Sequence, residues 1–238
     1  MRTAIQLWTL RNVDAPLSSL FHRIAVAGYD GVEFAGLGDP SERTQLLDAA
    51  GLLPVGVHVG TDELRADPAA IDDELETLDA PYAVVPYLDD DHFADAAAVD
   101  ETAATLDRLA RDLDRPLLYH NHVHEFVPVD DETAFDRLIE QTAVSFELDA
   151  GWAQAAGRDP VSLIRKLDGR VPVVHLKDVT ADGDPTHLGE GVVDLPAVVA
   201  AAREAGTDWL VFEYDDPDDP LAAMEKGIEA MDRLLAEA

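Results

Sequence analysis

Leu117–Phe126 reads LLYHNHVHEF. Leu117, Leu118 and Tyr119 follow Arg115-Pro116 and run into His120, Asn121, His122, Val123, His124 and Glu125. An apolar run bounded by a proline reads as a buried strand. Side chains alternate along a strand, so His120, His122 and His124 share a face while the chain stays extended. Three imidazoles on one face of a buried strand end favour a metal or acid–base site over a merely hydrogen-bonded terminus.

Similar strands recur outward from this one. Ala4–Leu10, Gly31–Ala35, Leu53–Val59 and Tyr82–Leu88 precede it, and Ala143–Asp149, Val171–Leu176 and Trp209–Tyr214 follow. Helical patterns lie between and after them: Pro16–Gly28, Pro40–Ala50, Pro68–Leu78, Asp91–Leu113, Glu132–Gln141, Pro160–Leu167, Leu195–Ala205 and Pro220–Ala236. Gly28, Gly51 and Gly206 mark helix stops. The strands are apolar almost throughout, as parallel strands covered on both faces must be. Eight βα units without a composition break predict one α/β domain over residues 1–238, a (β/α)8 TIM barrel. A doubly wound open sheet is the alternative, but no Gly-rich phosphate fingerprint follows the first strand.

The chain contains no cysteine, so a metal would have to be held by His and carboxylates. No apolar run approaches the length of a membrane span. The first residues, MRTAIQLW, lead straight into a strand pattern, which predicts a cytoplasmic protein. Net charge is −32, with 49 Asp plus Glu against 17 Lys plus Arg. The acid is spread over helices and loops, as in Asp72-Asp73-Glu74, Asp89-Asp90-Asp91 and Asp215–Asp219, and the lysines are Lys166, Lys177 and Lys226. Such composition resembles that of proteins from salt-loving microbes. It excludes a nucleic-acid binder, which needs a basic footprint. Self-association stays open.

In a TIM barrel the site lies at the carboxyl ends of the strands. Those ends supply Gln6 and Trp8, Glu33, His58, Tyr87 and Asp89, His120 and His122, Glu147 and Asp149, His175 and Lys177, and Glu213. Positions two apart share a face, so Glu147 projects with Asp149 and His175 with Lys177. Carboxylates and imidazoles converging on one mouth repel or desolvate one another unless a cation organises them. A mixed oxygen and nitrogen set suits one divalent ion, Mn²⁺, Co²⁺ or Zn²⁺, with Mg²⁺ as the harder alternative. Salt bridges and layer packing are the competing explanation for Glu33 and Glu147.

Seven segments together resemble the sugar phosphate isomerase/epimerase superfamily, the xylose isomerase-like TIM barrels. They are AIQLWTLR (Ala4–Arg11), AGYDGVEFAG (Ala27–Gly36), YHNHVHEF (Tyr119–Phe126), FELDAGW (Phe146–Trp152), HLKD (His175–Asp178), GEGVVDL (Gly189–Leu195) and FEYD (Phe212–Asp215). The resemblance implies one divalent metal at the ends of strands five to eight, with Asp149, His175 and Glu213 on the last three positions. The fifth position, commonly Glu in the epimerases, falls on or near His120. Two opposed carboxylate bases are then not both present, so one-base isomerisation or β-elimination fits as well as epimerisation. Trp152 stands where some relatives carry a substrate-binding His.

The implied chemistry is proton abstraction next to the carbonyl of a sugar or keto-sugar through an enediolate. Glu213 is the preferred base, with Glu33 or His122 as candidates to share the role. Lys177 either donates a hydrogen bond to an oxyanion or balances the carboxylates. His58, Trp152 and Trp8 are candidate substrate contacts. Acidic loops and Glu190 between Gly189 and Gly191 argue against a phosphate, leaving a neutral sugar or cyclitol. The alternatives are a lyase of the inosose or dehydroshikimate dehydratase type, and a non-catalytic sugar-binding barrel. A DNA-repair endonuclease on the related barrel conflicts with the charge.

The charge yields a prediction of its own. Excess negative charges repel in the compact state and are spread apart by unfolding. Molar salt shortens the screening length to about 3 Å, and folded proteins have only about 5–15 kcal/mol of stability to lose. The thermal midpoint should therefore rise continuously from low salt to molar KCl. It should rise also on mild acidification toward about pH 5, unless protonation of metal-site histidines releases the ion first. Melting curves across a KCl series at fixed pH test this, and a flat or falling midpoint would show that self-repulsion does not dominate.

Overall fold

The computed structural model describes residues 1–237. Eight parallel strands close into a barrel: β1 (Arg2–Gln6), β2 (Gly31–Phe34), β3 (Leu53–His58), β4 (Tyr82–Val85), β5 (Leu117–His120), β6 (Ser145–Asp149), β7 (Val173–Leu176) and β8 (Trp209–Phe212). Each pairs with its neighbours in sequence, and β8 closes onto β1 through Arg2↔Trp209 to Ile5↔Phe212.

Among the described residues ten α-helices surround the barrel, where eight were expected. They are α1 (Leu17–Ala27), α2 (Pro40–Ala50), α3 (Thr61–Ala66), α4 (Pro68–Leu78), α5 (Ala96–Arg111), α6 (Ala134–Gln141), α7 (Ala150–Ala155), α8 (Pro160–Leu167), α9 (Leu195–Ala205) and α10 (Pro220–Glu237). None is long and apolar enough to cross a membrane. Much of the acid starts helices. Asp39, Asp67, Asp95, Asp159 and Asp194 accept first-turn backbone N–H groups of α2, α4, α5, α8 and α9. Prolines follow directly at Pro40, Pro68 and Pro160, where the missing N–H costs nothing.

The strands stop earlier than the apolar pattern suggests, each for a local reason. β1 ends at Gln6 and not at Leu10, because the Gln6 side chain accepts the Trp8 N–H and turns Leu7–Leu10 into a 3-10 helix. β4 ends before Pro86, which has no N–H for the ladder. The opening stretch is extended only to His120. Beyond it, Asn121 bonds side chain to backbone with Asp149, and the Glu125 carboxylate accepts the His122 N–H and the Tyr119 hydroxyl. The three-imidazole face is thus broken, since His124 turns away to the Leu88 carbonyl at 2.6 Å. The long helix expected over Asp91–Leu113 divides into a 3-10 turn, Asp90–Phe93, and α5, which Asp95 caps afresh.

The barrel interior is graded. Ala4, Val55, Val84, Leu118, Val173, Trp209 and Val211 form an apolar plug among themselves. Two residues further along their strands, Ala4, Leu118, Val173 and Val211 give way to Gln6, His120, His175 and Glu213, so the period-two alternation that fills the plug also aims polar groups at the mouth.

The loop after β7 closes on one carboxylate. Asp178, fully buried, accepts backbone N–H groups of Val179 and Val193 on Oδ1 and of Gly189 and Gly191 on Oδ2, at 2.8–3.1 Å. A Cβ on Gly191 would collide with that carboxylate. The Gly189-Glu190-Gly191 amides therefore serve the fold and are spent before any anion arrives. Asp178→Asn presents a donor to one of these N–H groups and should cost about 1–3 kcal/mol. A denaturant midpoint unchanged from wild type would show that the loop is held by other means.

Candidate active site

Polar residues from the strand ends meet in two tiers. In the deeper tier Gln6 Nε2 donates to Glu33 Oε2 at 2.9 Å, and the same oxygen lies 2.7 Å from His175 Nε2. A single oxygen, Glu147 Oε1, lies 3.1 Å from His58 Nε2, 2.9 Å from His120 Nδ1 and 3.0 Å from His175 Nε2. Glu33, Glu147 and His175 are fully buried. In the upper tier Lys177 Nζ lies 3.1 Å from Asp149 Oδ2, 3.1 Å from Glu213 Oε2 and 2.6 Å from Asp215 Oδ2. His175 joins the tiers, its Nδ1 lying 3.0 Å from Glu213 Oε2.

The FELDAGW segment explains itself here. Asp149 ends β6 and caps α7 through Oδ1, which accepts the Trp152 N–H at 2.7 Å, leaving Oδ2 to face the site. At Gly151 a Cβ would press on the Lys177 stem at 2.7 Å, so glycine is required for lysine to pass. Trp152 packs under Lys177, whose ammonium lies 4.4 Å from the ring centroid, and stacks with His122 at 6.3 Å.

Charges set the protonation states. Burial drives His58 toward neutrality, but Glu147 and Glu33 outweigh it and hold its pKa at about 10. Burial likewise opposes the charge of His175, and Glu147 and Glu33 raise its pKa well above the usual range. Glu147 and Glu213 are depressed against burial, the first by His175 and His58, the second by Lys177 and His175. Lys177 is raised against burial by Asp149, Glu213 and Asp215. Burial, helped by the neighbouring His120 and Lys177, lowers His122 to about 2, so its imidazole is neutral. Asp215 is raised by burial and by Glu213, against the pull of Lys177.

Two quartets, Glu33–His58–Glu147–His175 and His120–Asp149–His175–Glu213, each bring one ligand atom per residue within 4.8 Å of the others. Glu33 Oε1, Glu147 Oε2 and Asp149 Oδ2 are buried without a hydrogen-bond partner. Asp149 Oδ2 does feel the Lys177 charge, but without hydrogen-bond geometry. Unsatisfied carboxylate oxygens among imidazoles fit a divalent cation, and the mixed donor set suits a transition metal.

A cleft of about 370 Å³ opens above the tiers. Of the residues anticipated from sequence, Trp8, His58, Tyr87, His120, His122 and Glu213 line it. Asp149, His175 and Lys177 lie beneath, and Glu33 lies deepest, with no face on the cleft. The ion pairs of Lys177 are all with carboxylates, and its ammonium also lies over the Trp152 ring. Asp215 also lines the cleft. It was hidden in what reads as a solvated Asp215–Asp219 run, although its spacing of two from Glu213 carries the strand period that would have exposed it.

Residues 21–234 match the family described as xylose isomerase-like TIM barrel. The rhizopine catabolism protein MocC of Rhizobium meliloti is 32% identical over 146 residues, which is 51% of this chain and 44% of that protein. An inosose dehydratase of Lacticaseibacillus casei is 28% identical over 155 residues, 54% of this chain and 51% of that protein. These matches thus span about half the length of the curated relatives. A sugar phosphate isomerase/epimerase from Parabacteroides distasonis superposes with a TM-score of 0.84 at 20% identity, over 96% of this chain and 92% of that one.

Metal-free protein titrated with Mn²⁺, Co²⁺, Zn²⁺ or Mg²⁺ should take up about one ion per chain, more weakly as pH falls, because imidazole and carboxylate ligands must shed protons to bind. Calorimetry at two pH values checks this. Heats no larger than dilution with all four ions would leave the quartets as salt-bridge networks.

Proposed function

The chain belongs to the xylose isomerase-like TIM-barrel family, and on that premise we propose that it is a divalent-metal-dependent enzyme that removes a proton next to the carbonyl of a sugar or cyclitol ketone. The observation that carries this reading is the position of Glu213. It alone among the residues of the two quartets is a carboxylate that lines the cleft. Its contacts to His175 and Lys177 fall on Oε2, which leaves Oε1 to meet a substrate C–H.

His120, Asp149, His175 and Glu213 are the residues proposed to hold the ion. When bound, the ion supplies Lewis-acid stabilisation of negative charge developing on the substrate oxygens. Glu213 takes the proton. Its pKa is depressed by Lys177 and His175, so it is a weak base that depends on acidification of the C–H. His122 lines the cleft wall, but burial, His120 and Lys177 hold its pKa at about 2, so its neutral imidazole is a poor proton acceptor beside the carboxylate. Lys177 fixes Asp149, Glu213 and Asp215 relative to one another, and Glu33 serves the tier below.

The fate of the enediolate separates the readings. Epimerisation needs acid–base groups on both faces of the substrate, whereas Glu213 and Asp215, the carboxylates on the cleft, leave the same strand two residues apart. One-base isomerisation and β-elimination of water remain. The relatives named as inosose dehydratases favour elimination as the second reading. Metal-loaded protein incubated with ketoses, aldoses, inososes and 3-keto-sugars should convert at least one of them, read as isomer or as loss of water. No conversion across the panel would favour a binding barrel. Glu213→Gln keeps the shape and removes the base, so turnover should fall about 10²–10⁴-fold in protein that still folds, with a lowered melting midpoint because Lys177 and His175 lose a carboxylate partner. Normal turnover would place the base elsewhere.

A further inference from the structure

We infer that the outer part of the cleft is a stacking subsite for an uncharged ring, built by Trp8 and Tyr87, and that substrates carrying a phosphate or carboxylate on that ring are rejected. The inference rests on the sugar or cyclitol reading and narrows it.

Trp8 and Tyr87 are the exposed members of the Phe, Tyr and Trp set among the described residues, at 45% and 53%, and both line this one cleft. Chance would not leave the exposed large aromatics together over the buried polar tiers. They leave β1 and β4, which stand three positions apart around the eight-stranded barrel, so they flank the mouth from two sides. Each is held. The Trp8 N–H is tied to Gln6, and the Arg11 guanidinium covers one ring face at 4.5 Å, leaving the other to a ligand. The Tyr87 ring packs on His122 at 5.2 Å and His124 at 5.1 Å, which gives the His124 turn a purpose. Rigid aromatic faces with a polar tip suit a ring that has a C–H face and a hydroxyl edge.

The charge of the ligand follows from the cations nearby. Lys177 is 1% exposed and surrounded by three carboxylates. Arg11 is engaged by Asp216 at 3.3 Å and by the Trp8 carbonyl, and His58 on the cleft wall is already paired with Glu147 at 3.1 Å and Glu33 at 3.5 Å. The cleft itself presents Glu213 and Asp215. An anionic group on the ring, away from the oxygens at the metal, would lose water and gain no counter-charge.

The test is binding, read by tryptophan fluorescence and calorimetry on metal-loaded protein, with myo-inositol, an inosose, myo-inositol monophosphate and a ring carboxylate such as quinate as probes. The uncharged rings should bind at least about 10-fold more tightly than the anionic ones. Trp8→Ala and Tyr87→Ala should each weaken uncharged rings about 3–10-fold at unchanged melting midpoint, and Tyr87→Phe should retain stacking. Equal affinity for myo-inositol and its phosphate, no effect of either alanine, or no binding of any ring would overturn the subsite. Binding of uncharged rings without conversion would defeat the proposed reaction and leave the subsite standing, while conversion of anionic substrates alone would do the reverse.

Discussion

One carboxylate oxygen organises the barrel mouth. Glu147 Oε1 receives imidazoles from β3, β5 and β7 within 3.1 Å, in a buried layer beneath the cleft. Deleting one partner of such a buried set typically costs about 3–5 kcal/mol, because the remaining charges are left unpaired. The same contacts fix ring orientation. His120 meets Glu147 through Nδ1, which turns Nε2 toward Asp149 at 4.0 Å, and His175 spends Nε2 below and Nδ1 above. Glu147 thus fixes how the His120 and His175 rings are turned, as carboxylates do for histidines in metal sites generally.

The upper tier solves the opposite problem, too many carboxylates and too few cations. Lys177 holds Asp149, Glu213 and Asp215 together. The backbone makes room for it with Gly151 and supports it with Trp152. A site arranged by protein charges beforehand does not have to be assembled by its ligand, which is the economy of preorganisation. The next residue, Asp178, spends its carboxylate on four amides of its own loop, so Lys177 and Asp178, neighbours of opposite charge on one segment, organise the mouth and the loop separately.

The barrel was legible in the sequence because parallel strands covered on both faces are apolar and evenly spaced, and because Asp-Pro starts and Gly stops punctuate the helices. The ends of strands were less legible, since side chains decide them: Gln6 curls β1 into a turn, and Asn121 and Glu125 release β5 after His120. Period-two reasoning placed Gln6, His120, His175 and Glu213 correctly toward the mouth because those residues are still on or next to regular strand. It failed for His124, which lies beyond the strand end and bonds to Leu88. Asp215 was masked by composition, as one acid among many. Tyr87 was visible as a strand-end residue, but its exposure, which gives it meaning, is a property of the loop and not of the sequence.

The acidic surface must be weighed against the local work its carboxylates do. Relief of self-repulsion on mild acidification favours the folded chain. Opposing it are carboxylates whose folded-state pKa is depressed: Asp159 by the Ser162 hydroxyl, Asp100 by Arg137, and Glu147 and Glu213, against burial, by their imidazole and lysine neighbours. A depressed carboxylate stabilises the fold above its unfolded pKa, and that stabilisation is lost as pH falls through the folded value. The two effects act on different carboxylates and in different pH ranges. Near the ordinary carboxylate pKa the unfolded chain begins to take up protons that these four acids in the fold refuse. Acid therefore helps only while the groups gaining protons are the unpaired surface acids, and harms once the helix caps and the site carboxylates are reached. Salt has no such reversal for the buried tiers, because mobile ions screen exposed charges far more than buried pairs.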